Sequence, residues 1–167
     1  KHKALTSTDV LITGPRDCTL EIAAAKDTYI RAIESNSQFK IPTNYLFVRS
    51  VRKLTSRFNP VFYEGDDKAS KISPYIQTID ELLEEFDPMR PQENLGDIEK
   101  IKKNAQTLLT QCEKLESSFM YDSIPVSHIR NVSSWARYTT TSEKKVLIIE
   151  NADRMLDSVR NALLKIL

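Results

Sequence analysis

The sequence predicts an α/β domain built on a parallel sheet flanked by helices. Three observations predict it. A short β-branched run, Asp9-Val10-Leu11-Ile12-Thr13, is closed by Gly14-Pro15; a second apolar run, Val146-Leu147-Ile148-Ile149, lies near the end; and helical periodicity follows each run. Strands alternating with helices give stacked layers joined by right-handed crossovers.

The chain has 167 residues, with 24 Lys plus Arg against 23 Asp plus Glu, a formal charge of +1 and 40% hydrophobic residues. That is the composition of one soluble domain. It excludes the strongly basic footprint of an autonomous nucleic-acid binder, while leaving room for local basic patches that a larger assembly could use. No apolar run approaches the roughly 20 residues that cross a bilayer, and Lys1-His2-Lys3-Ala4-Leu5-Thr6 lacks the apolar stretch of a signal peptide. A cytoplasmic protein without membrane contact is the expectation. Cys18 and Cys112 are far apart, as are His2 and His128, so no zinc-ligand spacing occurs and buried structural thiols are expected.

The elements follow in order. From Thr19 to Ile33, Leu20, Ala23, Ala24, Ile30 and Ile33 recur at helical spacing on a chain of good helix formers. Tyr45-Leu46-Phe47-Val48 and Val61-Phe62-Tyr63 are aromatic and β-branched runs bounded by turn residues, and both read as strands. Arg49, Arg52, Lys53 and Arg57 between them form a basic stretch read as a solvated face in preference to a phosphate-contacting patch. Residues 70–120 then turn wholly helical. Ile72, Ile76, Ile79, Leu83 and Phe86 mark one helix, broken by Asp87-Pro88-Met89-Arg90-Pro91. Ile98, Ile101, Ala105, Leu108, Cys112, Leu115 and Phe119 mark a second, with a three-four repeat suited to antiparallel packing. Together they predict an inserted antiparallel helical hairpin.

Val126, Ile129, Val132 and Ala136 mark the next helix, with Ser127 as N-cap and Trp135 at its flank, and Thr139 to Glu143 reads as a loop. Lys144 to Glu150 is the clearest strand, apolar enough to be covered on both faces. Asp157 is placed to cap a last helix bearing Val159, Ala162, Leu163 and Ile166.

A strand, a glycine turn and a helix near the start, with an acidic strand end near the finish, is the layout of a P-loop ATPase. Such a loop needs Gly-x-x-x-x-Gly-Lys-Ser/Thr, because backbone N–H groups wrap the phosphates, the lysine neutralises them and the hydroxyl holds magnesium. From Gly14 the register instead runs Pro15, Arg16, Asp17 and Cys18, then Thr19 for the second glycine, Leu20 for the lysine and Glu21 for the hydroxyl. The strand end is degenerate too. Glu150-Asn151-Ala152-Asp153 places Asn151 where a water-orienting carboxylate belongs. No catalytic residue, bound cofactor or metal is expected, and the chain holds no intact active site; an ATPase using Arg16 in place of the lysine is the rival, set back by Leu20.

Lys145-Val146-Leu147-Ile148-Ile149-Glu150-Asn151-Ala152-Asp153-Arg154-Met155-Leu156, followed by Asn161-Ala162-Leu163-Leu164-Lys165-Ile166-Leu167, resembles the clamp-loader subunits of bacterial DNA polymerase III. Ile124 to Trp135, with Ile129-Arg130, resembles the helix that precedes this strand in that family, and Val10 to Pro15 resembles its P-loop strand. About half the chain is covered, most specifically from residue 124 onward. The degraded loop resembles the delta-prime type more than the gamma/tau type. One departure is that residues 36–123 carry the hairpin and a single cysteine, Cys112, where the family commonly has a cysteine-rich zinc module.

The resemblance implies a P-loop NTPase-like (AAA+) fold, with residues 1–167 a truncated AAA+-like domain and 70–120 the hairpin within it. It implies a non-catalytic part in the DNA polymerase III holoenzyme, helping to load the sliding clamp onto primed DNA during replication. ATP would be bound by neighbouring subunits; the partners would be those subunits, the clamp indirectly, and primed DNA within the ring. Arg154, Arg160 and Lys165 are the DNA-contact candidates near the matched segment. An ATP-binding subunit of gamma/tau type and a protein-interaction scaffold acting through the hairpin are the alternatives.

Overall fold

A computed structural model of the chain describes residues 9–88, 97–138 and 144–166. Their order is β1 (Val10–Thr13), α1 (Cys18–Glu34), α2 (Lys40–Ser56), α3 (Lys68–Glu84), α4 (Ile98–Phe119), α5 (Val126–Arg137), β2 (Val146–Ile149) and α6 (Asp157–Leu163). Short 3-10 turns cover Pro60–Tyr63 and Ala152–Arg154. The architecture is mixed α/β and mostly helical. Among the described residues the sheet has two strands, paired in parallel from Val10 with Val146 to Thr13 with Ile149.

β1 is the more buried strand, with Leu11, Ile12 and Thr13 all buried. β2 differs from the expectation of a strand covered on both faces. Leu147 and Ile149 are half-buried, while Val146 is 46% and Ile148 40% exposed, the alternation of a strand packed on one side.

Most of the core is made where four helices meet. Ile22, Tyr29 and Ile33 of α1 face Phe47, Val51 and Leu54 of α2, and Ile79, Leu108, Cys112 and Leu115 close the layer from α3 and α4. Three rings lie at its centre, Tyr29 stacked on Phe47 at 6.1 Å and Phe86 edge-on to Phe47 at 5.4 Å. A smaller cluster of Ile124, Ile129 and Val159 joins α5 to α6 beside Ile149.

Two expected strands are replaced. Tyr45 to Val48 lies inside α2, because its buried residues Phe47, Val48, Val51 and Leu54 recur every three or four positions. Pro42, third in that helix, costs no internal hydrogen bond in the first turn. Val61 to Tyr63 is part of a 3-10 turn, started by Pro60 and capped by Asn59, whose side chain accepts from the Val61 N–H at 3.0 Å. The basic residues between them are on and after α2, and Arg57 is buried, which removes the solvated-face reading for it.

α3 and α4 pack on each other, and α4 also packs on α1, so the hairpin helices lie against the body of the fold. The linking residues 89–96, with most of the Asp87 to Pro91 break, lie outside the described residues, as does the loop expected at Thr139 to Glu143. Two expected caps shift by a residue or two. Pro125 is the N-cap of α5, with Ser127 inside the first turn, and Leu156 is the N-cap of α6, with Asp157 its first helical residue. Ala136 is exposed and Trp135 is the buried residue of that turn, with the Lys145 ammonium 4.8 Å from its ring centre.

Candidate functional site

The site lies at the carboxyl ends of the two parallel strands, where α/β sheets usually bind ligands. Residues 14–17 turn sharply from β1 into α1, and Asp17 takes a φ of 122°, a left-handed value that favours glycine. The first N–H groups of a helix have no partner within it and carry partial positive charge. In this chain they have one. The Glu116 carboxylate of α4 accepts from the N–H of Asp17 at 2.8 Å, of Cys18 at 2.6 Å and of Thr19 at 3.2 Å, and the Thr19 hydroxyl donates to it as well. Glu116 is buried, 4% exposed, and Asp17 supplies no cap of its own, so a side chain 99 positions away caps α1.

The turn is tied at further points. The Arg16 N–H donates to the Tyr121 carbonyl at 2.8 Å, and its guanidinium to the Met120 carbonyl at 2.9 Å. Arg57 donates to the Pro15 carbonyl, and its guanidinium lies against Gly14, where an added Cβ would meet it at 3.0–3.1 Å. Any larger residue there would require the guanidinium to give way by a few tenths of an ångström.

Beside the turn is a cleft of about 430 Å³ lined by charges of both signs. Glu150, just past β2, pairs with Arg57 and with Lys53 at 3.0 Å, and Lys53 also holds Glu21 at 2.5 Å. Burial alone would lower the Lys53 pKa, but its hydrogen bonds and charge contacts with Glu21 and Glu150 outweigh that and raise it. Arg154 reaches back to Asp17 at 2.5 Å. A phosphate entering this cleft would therefore meet cations already neutralised by carboxylates.

Each sequence-selected residue now has a place. Gly14, Pro15, Arg16, Asp17, Cys18 and Thr19 form the turn and first helical positions, while Leu20 points to solvent, 74% exposed. Glu21 and Glu150 meet through Lys53; Asn151 adopts φ 50° and Asp153 is exposed in the 3-10 turn. Arg160 pairs with Asp157 one turn away, and Lys165 is exposed. Sequence reasoning missed Glu116, Lys53 and Arg57 as members of this site. A signal existed for Glu116, which stands four residues after Cys112, on the apolar seam where a carboxylate needs a buried partner.

Cys18 opens α1, a position that would ordinarily favour a thiolate, yet burial dominates and pushes its pKa up to about 12. Cys112 is likewise pushed up to about 12, chiefly by burial. His128 is wedged between Phe62 and Tyr63, with ring centres at 5.5 and 4.9 Å, and burial lowers its pKa to about 4. Among the described residues, no three His, Cys, Asp or Glu side chains gather as metal ligands, and no helix is long and apolar enough to cross a membrane.

No curated protein and no solved structure matches the chain significantly. Residues 88–167, which take in α4, α5, β2 and α6, match the family model described as DNA polymerase III, delta subunit, which supports a clamp-loader-type subunit of DNA polymerase III.

Proposed function

We propose that the chain is a non-catalytic subunit of delta-prime type in the clamp loader of DNA polymerase III, with an AAA+-like domain that lends its shape to the ring and binds no nucleotide itself. The family match supports the assembly. The observation that carries the non-catalytic role is the turn at 14–19, whose amides face the chain's own Glu116, with Leu20 in the lysine position turned to solvent. In this reading ATP sits on neighbouring subunits. Contact with primed DNA through Arg154 or Arg160 would have to displace Asp17 or Asp157, whereas Lys165 is exposed.

Isothermal titration with ATP and Mg²⁺, followed by reconstitution with the other loader subunits, tests the proposal. No binding heat from the chain, together with its entry into a complex that loads the clamp onto primed DNA, is the expected result. Micromolar ATP binding by the chain would replace the reading with that of a nucleotide-binding subunit, and failure to join the complex would remove the clamp-loader assignment.

A further inference from the structure

A buried carboxylate persists as an ion only when donors replace its lost water. Glu116 has four: the N–H groups of Asp17, Cys18 and Thr19 and the Thr19 hydroxyl. These are the kinds of donor through which a helix start holds a phosphate. The other side of the turn is occupied as well, since the Arg57 guanidinium lies against Gly14 and donates to the Pro15 carbonyl. Asp17, between the two clamps, is held at φ 122°, a conformation that persists only when its surroundings over-determine it.

We propose that Glu116 is a lock: an internal anion, supplied by α4, that holds the 14–19 turn in its strained form and keeps external phosphate out. Because Glu116 is tethered to the chain, its effective concentration at the amides far exceeds that of a free anion. The lock also gives the second hairpin helix a task in the body of the fold. It is a property of the chain alone, whichever assembly the chain serves.

The test compares the native chain with Glu116→Gln and Glu116→Ala, using amide hydrogen exchange and thermal melting against inorganic phosphate, with chloride at matched ionic strength. The native chain is expected to protect the amides of residues 17–19 and to melt at a temperature independent of phosphate. Glu116→Gln keeps the shape but loses the charge and turns one acceptor into a donor, so exchange at residues 17–19 should rise at least about tenfold while β1 stays protected. In Glu116→Ala the freed amides should make the melting temperature rise with phosphate and not with chloride. Unchanged exchange at 17–19 in Glu116→Gln, a native melting temperature that climbs with phosphate, or a folded Glu116→Ala chain indifferent to phosphate would each overturn the lock.

Discussion

Arg57 and Glu150 form an ion pair that ties the end of α2 to the residue following β2. The Arg57 side chain is 5% exposed and that of Glu150 30%, so the pair is shielded from water on the arginine side. Removing Glu150 leaves the buried Arg57 charge without its counter-ion, while removing Arg57 leaves Glu150 to Lys53 and strips the Pro15 carbonyl of its donor, and such losses cost more than the pair itself contributes. Arg57→Ala should destabilise the fold by about 3 kcal/mol and Glu150→Gln by about 2, with less than additive loss in the double variant. Urea denaturation of the four forms measures this, and strict additivity would show that the two side chains act separately.

Gly14→Ala tests the other contact of that guanidinium. The new methyl would begin 3.0 Å from Arg57 Nη1, and Arg57 cannot easily give way because it is held by both Pro15 and Glu150. Crowding of this kind costs about 1–3 kcal/mol. In an Arg57→Ala background the methyl has room, so most of that loss should disappear, a reversal that denaturation midpoints would record.

Much of the fold was legible because helical periodicity is a repeated signal. The hairpin helices declare themselves through Ile72, Ile79 and Leu83 and through Ala105, Leu108, Cys112 and Leu115, all buried as their spacing requires. Tyr45 to Val48 was misleading for the opposite reason. Three β-forming residues, Tyr45, Phe47 and Val48, outweighed the pattern Phe47, Val48, Val51, Leu54 that only a longer window displays, and tertiary packing overrode local preference. The degenerate turn could be read from its residue types, but its closure could not. Glu116 is 98 positions from Cys18, and nothing local to either residue states that they meet.

His128 should make the fold acid-sensitive. Its pKa is lowered from the model-peptide value of 6.5 to about 4, chiefly by burial, with Asp66 and Lys68 acting in opposite directions. The unfolded chain therefore binds the proton first, and stability falls as pH drops from about 6.5 towards 4, by roughly 3 kcal/mol at the low end. The measurement is a difference between two chains. The gap in melting temperature between pH 7 and pH 5 should be smaller in His128→Phe than in the native chain, and an equal gap would show that His128 stays solvated.

The two thiols should be inert in the folded chain. Both are buried, with pKa values pushed up to about 12, so little thiolate exists at neutral pH and access is poor. Alkylation with iodoacetamide, followed by mass spectrometry, should be slow in buffer and should reach both sites in denaturant. Rapid labelling of Cys18 alone in buffer would mean that the start of α1 opens readily, in conflict with its cap by Glu116.

Restoring the sequence motif should not restore a nucleotide site. Leu20→Lys with Glu21→Thr returns two expected residue types, but position 20 points to solvent at 74% exposure, so a lysine there extends away from the turn. Glu21 is also a partner of Lys53, and its loss leaves that cation to Glu150 alone without freeing the amides that Glu116 holds. Titration of this double variant with ATP and Mg²⁺ should therefore give no heat beyond that of a weak, salt-sensitive ionic contact. Adding Glu116→Ala to the same background removes the internal carboxylate, and any gain in affinity should appear only at that third step. Tight binding already in the double variant would mean that residue types at 20 and 21, and not the carboxylate of α4, decide what the turn accepts.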